Sequence, residues 1–256
     1  MVNLGMATAS RRVLAIHAHP DDVEFLCAGT LALLKQRGWE ITIVTMTPGD
    51  CGSAEHGAAE ISAIRRAEAQ AAARMLEAEC VCLEFRDLSI THDAESKRKV
   101  TECLRRARPD LVLTSAPLDY MSDHEMTSRL VRDACFNASV PNYSTHQWDP
   151  AAPTDHIPHL YFMDAIEGID WFGNPQPVGF VVDISSTLDL KLQMLACHAS
   201  QRNWLLKQHG MDEYLESCRK WSAKRGAEIS TKYGEAFTQY KGHPYPADDL
   251  LREALK

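Results

Sequence analysis

The 256-residue chain has no C-x-x-C pair, no apolar run near the roughly 20 residues that span a bilayer, no glycine-rich phosphate turn and no excess of positive charge. Each lack closes a class of protein. Its eight cysteines, at 27, 51, 80, 82, 103, 135, 197 and 218, are scattered, which argues against a zinc knuckle and against a disulfide framework. They read as reduced, mostly buried thiols. A formal net charge of −8 supplies no clustered Lys and Arg for a phosphate backbone, so no nucleic-acid partner is expected. Without an apolar span, no membrane partner is expected either. The first ten residues are small, apolar or uncharged, and the basic pair Arg11-Arg12 follows them, the reverse of a secretory signal, which points to a cytoplasmic protein.

What is present alternates. Strand-like and helix-like stretches succeed one another through the first two-thirds of the chain, the pattern of a parallel sheet covered by helices. Strands are expected at 12–16, 40–46, 80–83 and 111–114, helices at 23–36, 59–77, 95–107 and 125–135, and loops at 47–57 and 115–123. Further strands at 160–164 and 178–182, helices at 187–199 and 213–227, and a short C-terminal helix opened by Pro244 and Pro246 complete the reading. The expected fold is one α/β domain over 1–256, a Rossmann-like three-layer sandwich with a mainly parallel sheet and helices on both faces. Prolines punctuate an irregular excursion at 142–156, which is a candidate for the wall or lid of a site. Cys80 and Cys82 alternate onto one strand face and read as core.

The turn after the first strand is His19-Pro20-Asp21-Asp22. Ligands of α/β folds gather at the carboxyl ends of strands, and here an imidazole and two carboxylates crowd that place and would repel an anion. The turn suits a cation. His19 and Asp22, three residues apart at a helix start, can converge on one face. A catalytic zinc takes three N or O ligands and keeps one position open for water, so a third ligand is needed from another strand end. The stretch Asp119-Tyr120-Met121-Ser122-Asp123-His124 lies at such an end, and parallel topology places both loops on one edge. The plainer reading stands beside this one: an Asp after Pro caps a helix, and a lone His packs or meets solvent. Spacing alone leaves both open.

Several motifs together carry a resemblance. Ala18-His19-Pro20-Asp21-Asp22-Val23-Glu24, Ala28-Gly29-Thr30, Thr45-Met46-Thr47-Pro48-Gly49-Asp50, Arg65-Arg66-Ala67-Glu68 and Asp123-His124 resemble, in order and spacing, the LmbE-like or PIG-L family of zinc-dependent N-acetylglucosaminyl deacetylases. His198-Ala199-Ser200-Gln201 and Tyr233-Gly234-Glu235-Ala236-Phe237 extend the likeness to its bacterial members. The resemblance implies that His19, Asp22 and His124 ligate Zn²⁺, with Fe²⁺, Co²⁺ or Mn²⁺ as alternatives. It also implies that Asp21 is the general base, and that Arg65, Asp123 and His198 serve the substrate. The partner so implied is a small amino-sugar conjugate, and a trimer or hexamer is the implied assembly. A larger N-acyl group, or a binding protein with little turnover, are the rival readings.

One position departs from the family pattern. Where the family carries His-x-x-His in the second loop, this chain has Met121, and a thioether neither donates a proton nor carries charge. Asp21 is then expected to move the proton in both directions, or another residue to reach in. Other residues keep plain readings: His17 is expected to be packed and His56 exposed, Arg65 to lie on a solvated helix face or pair with Glu68, and Asp123 to orient a neighbour or cap its helix. Tyr120 and Trp148 are candidates for lining a sugar pocket.

Overall fold

A computed structural model describes residues 10–202 and 214–256. Strands β1 (Arg12–His17), β2 (Glu40–Thr45), β3 (Glu79–Cys82), β4 (Leu111–Thr114), β5 (His159–Met163), β6 (Phe180–Asp183) and β7 (Gly234–Gln239) form one sheet in the order β3-β2-β1-β4-β5-β7-β6. The neighbours β1 to β5 pair in parallel, and β7 runs antiparallel between β5 and β6. Helices α1 (Asp22–Gln36), α2 (Ala58–Arg74), α3 (Ala94–Ala107), α4 (Ser122–Asn137) and α5 (Leu188–Ala196) are followed by the helices Tyr214–Ala227 and Leu250–Ala254. The expected fold class holds. No described helix is long and apolar enough to cross a membrane.

The period-2 alternation of β1 explains the layers. Val13 and Ala15 belong to a core shared with α1 and α5, while Leu14 and Ile16 belong to a second core on the other face with α3 and α4. Chain order then makes the site. From β1 the chain moves outward to β2 and β3, then returns to place β4 on the other side of β1. The loops after β1 and β4 diverge at this switch point and leave a crevice at the carboxyl edge.

Three expectations about the fold need correction. The excursion 142–156 connects the end of α4 to the start of β5 and so lies at the amino edge, away from the crevice. Thr145 and Ala151 are tied there to Glu102 of α3, and Trp148 stands fully exposed. It is neither wall nor lid. Cys80 and Cys82 are only half-buried, because β3 is an edge strand, and three of the eight cysteines (27, 135 and 218) are buried. The strand β7 was legible only as part of a motif. Boundaries also move slightly: α2 ends at Arg74, where Glu77 turns left-handed and Ala78 closes back on Ala73.

Buried ion pairs anchor the distal half of the sheet. Glu235 of β7 accepts from Lys191 Nζ at 2.6 Å and from the backbone N–H groups of Gly29 and Thr30 in α1 at 2.9 and 2.7 Å. Thr187 donates to the Gly29 carbonyl at 2.9 Å. Gly29 is required there, since a Cβ would sit 2.9 Å from Ile184. Ala28-Gly29-Thr30 and the Gly234-Glu235 strand are thus two halves of one structural joint.

Candidate active site

The short loop from β1 into α1 bends sharply at Asp21, whose φ of 100° lies in the left-handed region that L-residues enter at a cost. Asp21 therefore does not cap the helix. Its side chain makes no cap bond, and its Oδ2 instead accepts from the Tyr214 hydroxyl at 2.6 Å, with Arg65 Nη2 at 3.9 Å. Burial raises the Asp21 carboxyl, a rise that the neighbouring Arg65 opposes and Asp22 reinforces.

His19, Asp22 and His124 converge as the sequence predicts. His19 Nδ1 lies 3.3 Å from Asp22 Oδ2 and 3.3 Å from His124 Nε2, and His124 Nε2 lies 3.5 Å from Asp22 Oδ2. Tetrahedral ligands held 2.0–2.1 Å from a zinc ion are separated by about 3.3–3.4 Å. The three atoms are thus spaced as three ligands of one small cation. The rest of each ring supports this use. His124 Nδ1 faces Asp119 Oδ1 at 3.0 Å, and His19 Nε2 faces Asp87 Oδ1 at 3.3 Å and Asp123 Oδ2 at 3.4 Å. A carboxylate on the far nitrogen fixes the tautomer and turns the near nitrogen's lone pair to the metal. Zinc or a similar divalent ion fits this donor set.

The charge distribution agrees. Burial would lower His19, but the carboxylates of Asp123, Asp22 and Asp87 outweigh it and raise its pKa to about 10. Burial opposes ionisation of Asp22 too, yet His17 and His124 hold its carboxyl well below the usual range. His17 is packed, as expected, and also useful. Its Nδ1 lies 2.6 Å from Asp22 Oδ2, so it steadies a ligand from behind, while burial lowers its pKa and its Nε2 finds no partner among the described residues.

The remaining candidates fall into place around this centre. Arg65 is buried and donates to the carbonyls of Pro20 at 2.9 Å and Gly49 at 3.4 Å, so it clamps the loops after β1 and β2. Gly49 (φ +75°) and Gly52 leave the guanidinium room, since a Cβ at either would fall within 2.4 Å of it. Glu68 is taken by Ser200, whose N–H and hydroxyl donate at 2.8 and 2.6 Å, so the Arg65–Glu68 pair does not form. Asp123 accepts from the Leu88 N–H at 2.7 Å and from the Ile90 N–H at 3.4 Å. It orients His19 and the loop after β3. His198 is buried behind Asp21, with Nε2 3.4 Å from Glu24 Oε2. His56 is exposed, as expected, and pairs with Glu60 at 3.2 Å.

Sequence reasoning missed Tyr214, Asp87 and the orienting role of Asp119. Tyr214 lies 193 residues from its partner, and no local pattern could announce it. Asp119 was visible in the loop beside His124, but its grip on the Ile166 N–H and the Trp171 indole, at 3.1 and 2.7 Å, depends on the loop after β5. Trp171, at the carboxyl edge, occupies the kind of position expected of Trp148.

Fold and site define an α/β protein whose sheet switch point holds a histidine–carboxylate centre fit for a divalent cation. Comparison with known proteins gives the particular family: residues 14–135 match PIG-L, GlcNAc-PI de-N-acetylase, and the chain carries a PIG-L (LmbE-like) family domain. The diacetylchitobiose deacetylase of Thermococcus kodakarensis is 28% identical over 197 residues, 75% of this chain and 70% of that protein. The 4-oxalmesaconate hydratase of Pseudomonas putida is 26% identical over 208 residues, 77% of each chain. The N,N'-diacetylchitobiose deacetylase from Pyrococcus horikoshii superposes with a TM-score of 0.77 at 28% identity, covering 94% of this chain and 89% of that one.

Proposed function

We propose that the protein is a zinc-dependent deacetylase that hydrolyses the N-acetyl group of an N-acetylglucosamine-type sugar or its conjugate. The observation that carries this reading is the set of separations, 3.3, 3.3 and 3.5 Å, among His19 Nδ1, Asp22 Oδ2 and His124 Nε2 beside the partly buried Asp21. Bound there, zinc would supply Lewis acidity that brings the pKa of water to about 7 and polarises an amide carbonyl. The protein's own groups do the rest.

Asp21 is the base that takes a proton from the attacking water. Tyr214 occupies its Oδ2, which leaves Oδ1 for the transfer. Its burial, which raises its pKa, also suits it to hold that proton and return it to the departing amine, a nitrogen that cannot leave as an anion. With Met121 in place of a histidine, Asp21 acts in both directions. Arg65 sets the position of Asp21 through the Pro20 carbonyl and contributes positive charge beside it.

A second reading comes from the 4-oxalmesaconate hydratase, 26% identical to this chain, whose name implies addition of water rather than amide hydrolysis. Release of primary amine from N-acetylglucosaminides and longer N-acyl analogues by zinc-loaded protein separates the readings, with Asp21→Asn as control. Amine release that falls at least about a hundredfold in the control supports the deacetylase. No amine release, with hydration of an unsaturated dicarboxylate, would replace it.

A further inference from the structure

Amide hydrolysis needs more than a base. When water adds to the carbonyl, its π pair moves onto oxygen, and a preorganised hydrogen-bond donor aimed at that oxyanion is usually among the largest contributions to the rate. Asp21 handles protons and carries negative charge, so it cannot serve. Met121 stands where the resemblance places an assisting histidine, and its thioether donates nothing. The donors already placed at the centre are committed elsewhere. The Tyr214 hydroxyl is held by Asp21 at 2.6 Å and the Trp171 indole by the Asp119 carbonyl at 2.7 Å. Arg65 is turned to the Pro20 and Gly49 carbonyls, and His17 is packed behind Asp22. The far nitrogens of His19 and His124 face Asp87, Asp123 and Asp119.

The Tyr120 hydroxyl, by contrast, has no hydrogen-bond partner among the described residues. Its loop is fixed on both sides. The Gln176 amide donates to the Leu118 carbonyl at 3.0 Å, and the Asp119 carboxylate accepts from the Ile166 N–H at 3.1 Å. The Tyr120 ring meets the His124 ring edge-on, with centroids 5.5 Å apart and planes at 86°. The carboxylates that act most strongly on its hydroxyl are Asp22, Asp119 and Asp21, which places the hydroxyl end on the side of the ligand cluster. The side chain is 70% exposed, so a molecule entering the crevice from solvent meets it. A phenol, with an ordinary pKa of about 10, keeps its proton at neutral pH.

We propose that Tyr120 is a catalytic residue whose hydroxyl donates a hydrogen bond to the oxyanion formed as water adds to the substrate's amide carbonyl, the assistance that Met121 cannot give. The inference rests on the deacetylase reading. The water oxygen bonds to the carbonyl carbon, its proton goes to Asp21, and the π pair becomes the oxyanion that the Tyr120 O–H steadies. On collapse that pair re-forms the carbonyl, the C–N pair leaves with nitrogen, and nitrogen takes the Asp21 proton. Tyr120 keeps its own proton throughout.

The test is Tyr120→Phe, which keeps the ring beside His124 and removes only the hydroxyl. With zinc-loaded protein and N-acetylglucosamine or N,N'-diacetylchitobiose as substrate, kcat is expected to fall about a hundredfold. KM, bound zinc by elemental analysis and the thermal midpoint are expected to stay at wild-type values, the mark of an interaction made only in the transition state. Met121→His in the Tyr120→Phe background is expected to recover about tenfold or more and to add little in otherwise wild-type protein, because both groups serve one oxyanion. Wild-type kcat in Tyr120→Phe, or a loss that lies in KM or in bound zinc, would overturn the proposal. So would Met121→His giving an equal gain, or none, in both backgrounds. Failure of the deacetylase reading looks different: wild-type protein itself then releases no amine from either sugar.

Discussion

Two buried polar clusters in this molecule are built on opposite plans. In the joint between α1, α5 and β7, one Lys191 meets one Glu235, and the remaining carboxylate valence is filled by the Gly29 and Thr30 N–H groups. Charge is balanced and the pair is closed. At the carboxyl edge, five carboxylates (Asp21, Asp22, Asp87, Asp119 and Asp123) surround three histidines, with one permanent cation, Arg65, beside them. Buried atoms without hydrogen bonds among the described residues occur there as well: His17 Nε2, Arg65 Nε and His198 Nδ1. A closed pair serves the fold, whereas an excess of negative charge around aimed imidazole lone pairs fits a cation and a reaction.

The sharpest way to break the comparison is to remove a ligand. His124→Ala is expected to lower bound zinc below stoichiometry and turnover by about a thousandfold or more, since metal assistance contributes several kcal/mol. Its thermal midpoint in chelator is expected to stay near that of chelated wild type. Metal content by elemental analysis, read beside the midpoint, checks this. A variant that still binds stoichiometric zinc would remove His124 from the ligand set.

Glu235→Ala inverts that outcome. It leaves Lys191 buried and unpaired and strips an acceptor from two N–H groups, a loss expected to cost about 3–5 kcal/mol of stability. Zinc per folded molecule should stay at the wild-type level. The double variant Glu235→Gln with Lys191→Met keeps an oxygen for the Gly29 and Thr30 N–H groups and removes the charge, so it should recover most of the loss. Denaturant midpoints decide this, and a double variant no better than the single one would show that the pair itself, not the N–H acceptor, holds the joint.

Between these extremes lies Asp119→Asn. An amide oxygen can still accept from His124 Nδ1–H but carries no charge, so zinc affinity is expected to fall about 10–100-fold with little change in stability. Competition with a chromogenic chelator measures it. Unchanged affinity would mean that Asp119 only ties the loops together through Ile166.

The same contrast explains what could be read in the chain beforehand. The β1–β4 half, with its regular alternation, and the polar turns 19–22 and 119–124 are local signals, each at a strand end that topology brings together, whereas the choice of His19, Asp22 and His124 as one set is what the family resemblance implies. Glu235 and Tyr214 are not local. Their partners lie 206 and 193 residues away, and β7 is a strand inserted antiparallel between two others, which no periodicity orders. The excursion 142–156 was misplaced for a related reason: prolines mark an irregular loop but not its edge, and only its position before β5 rather than after a strand sends it to the amino side. The departure at Met121 was legible, but its consequence depends on Asp21, whose strained backbone is invisible in the sequence.

The smallest effect concerns His198, which sits between the two plans: buried like the core pair, yet facing the site. Glu24 and Asp21 on one side and Arg65 on the other are the charges that act on it, and the carboxylates outweigh both burial and Arg65, so its pKa is raised above 6.5. The sign follows from proton linkage. A histidine whose folded pKa exceeds its unfolded value binds its proton more tightly when folded, so its stabilisation is complete below about pH 6.5 and fades as pH rises through the folded value. In metal-free protein, the stability gap between wild type and His198→Gln should therefore be widest near pH 6 and narrow toward pH 9. Bound zinc adds positive charge near Asp21 and should bring the narrowing to lower pH. A gap that is flat with pH would show that His198 is held neutral in the fold and belongs with the packed core rather than with the site.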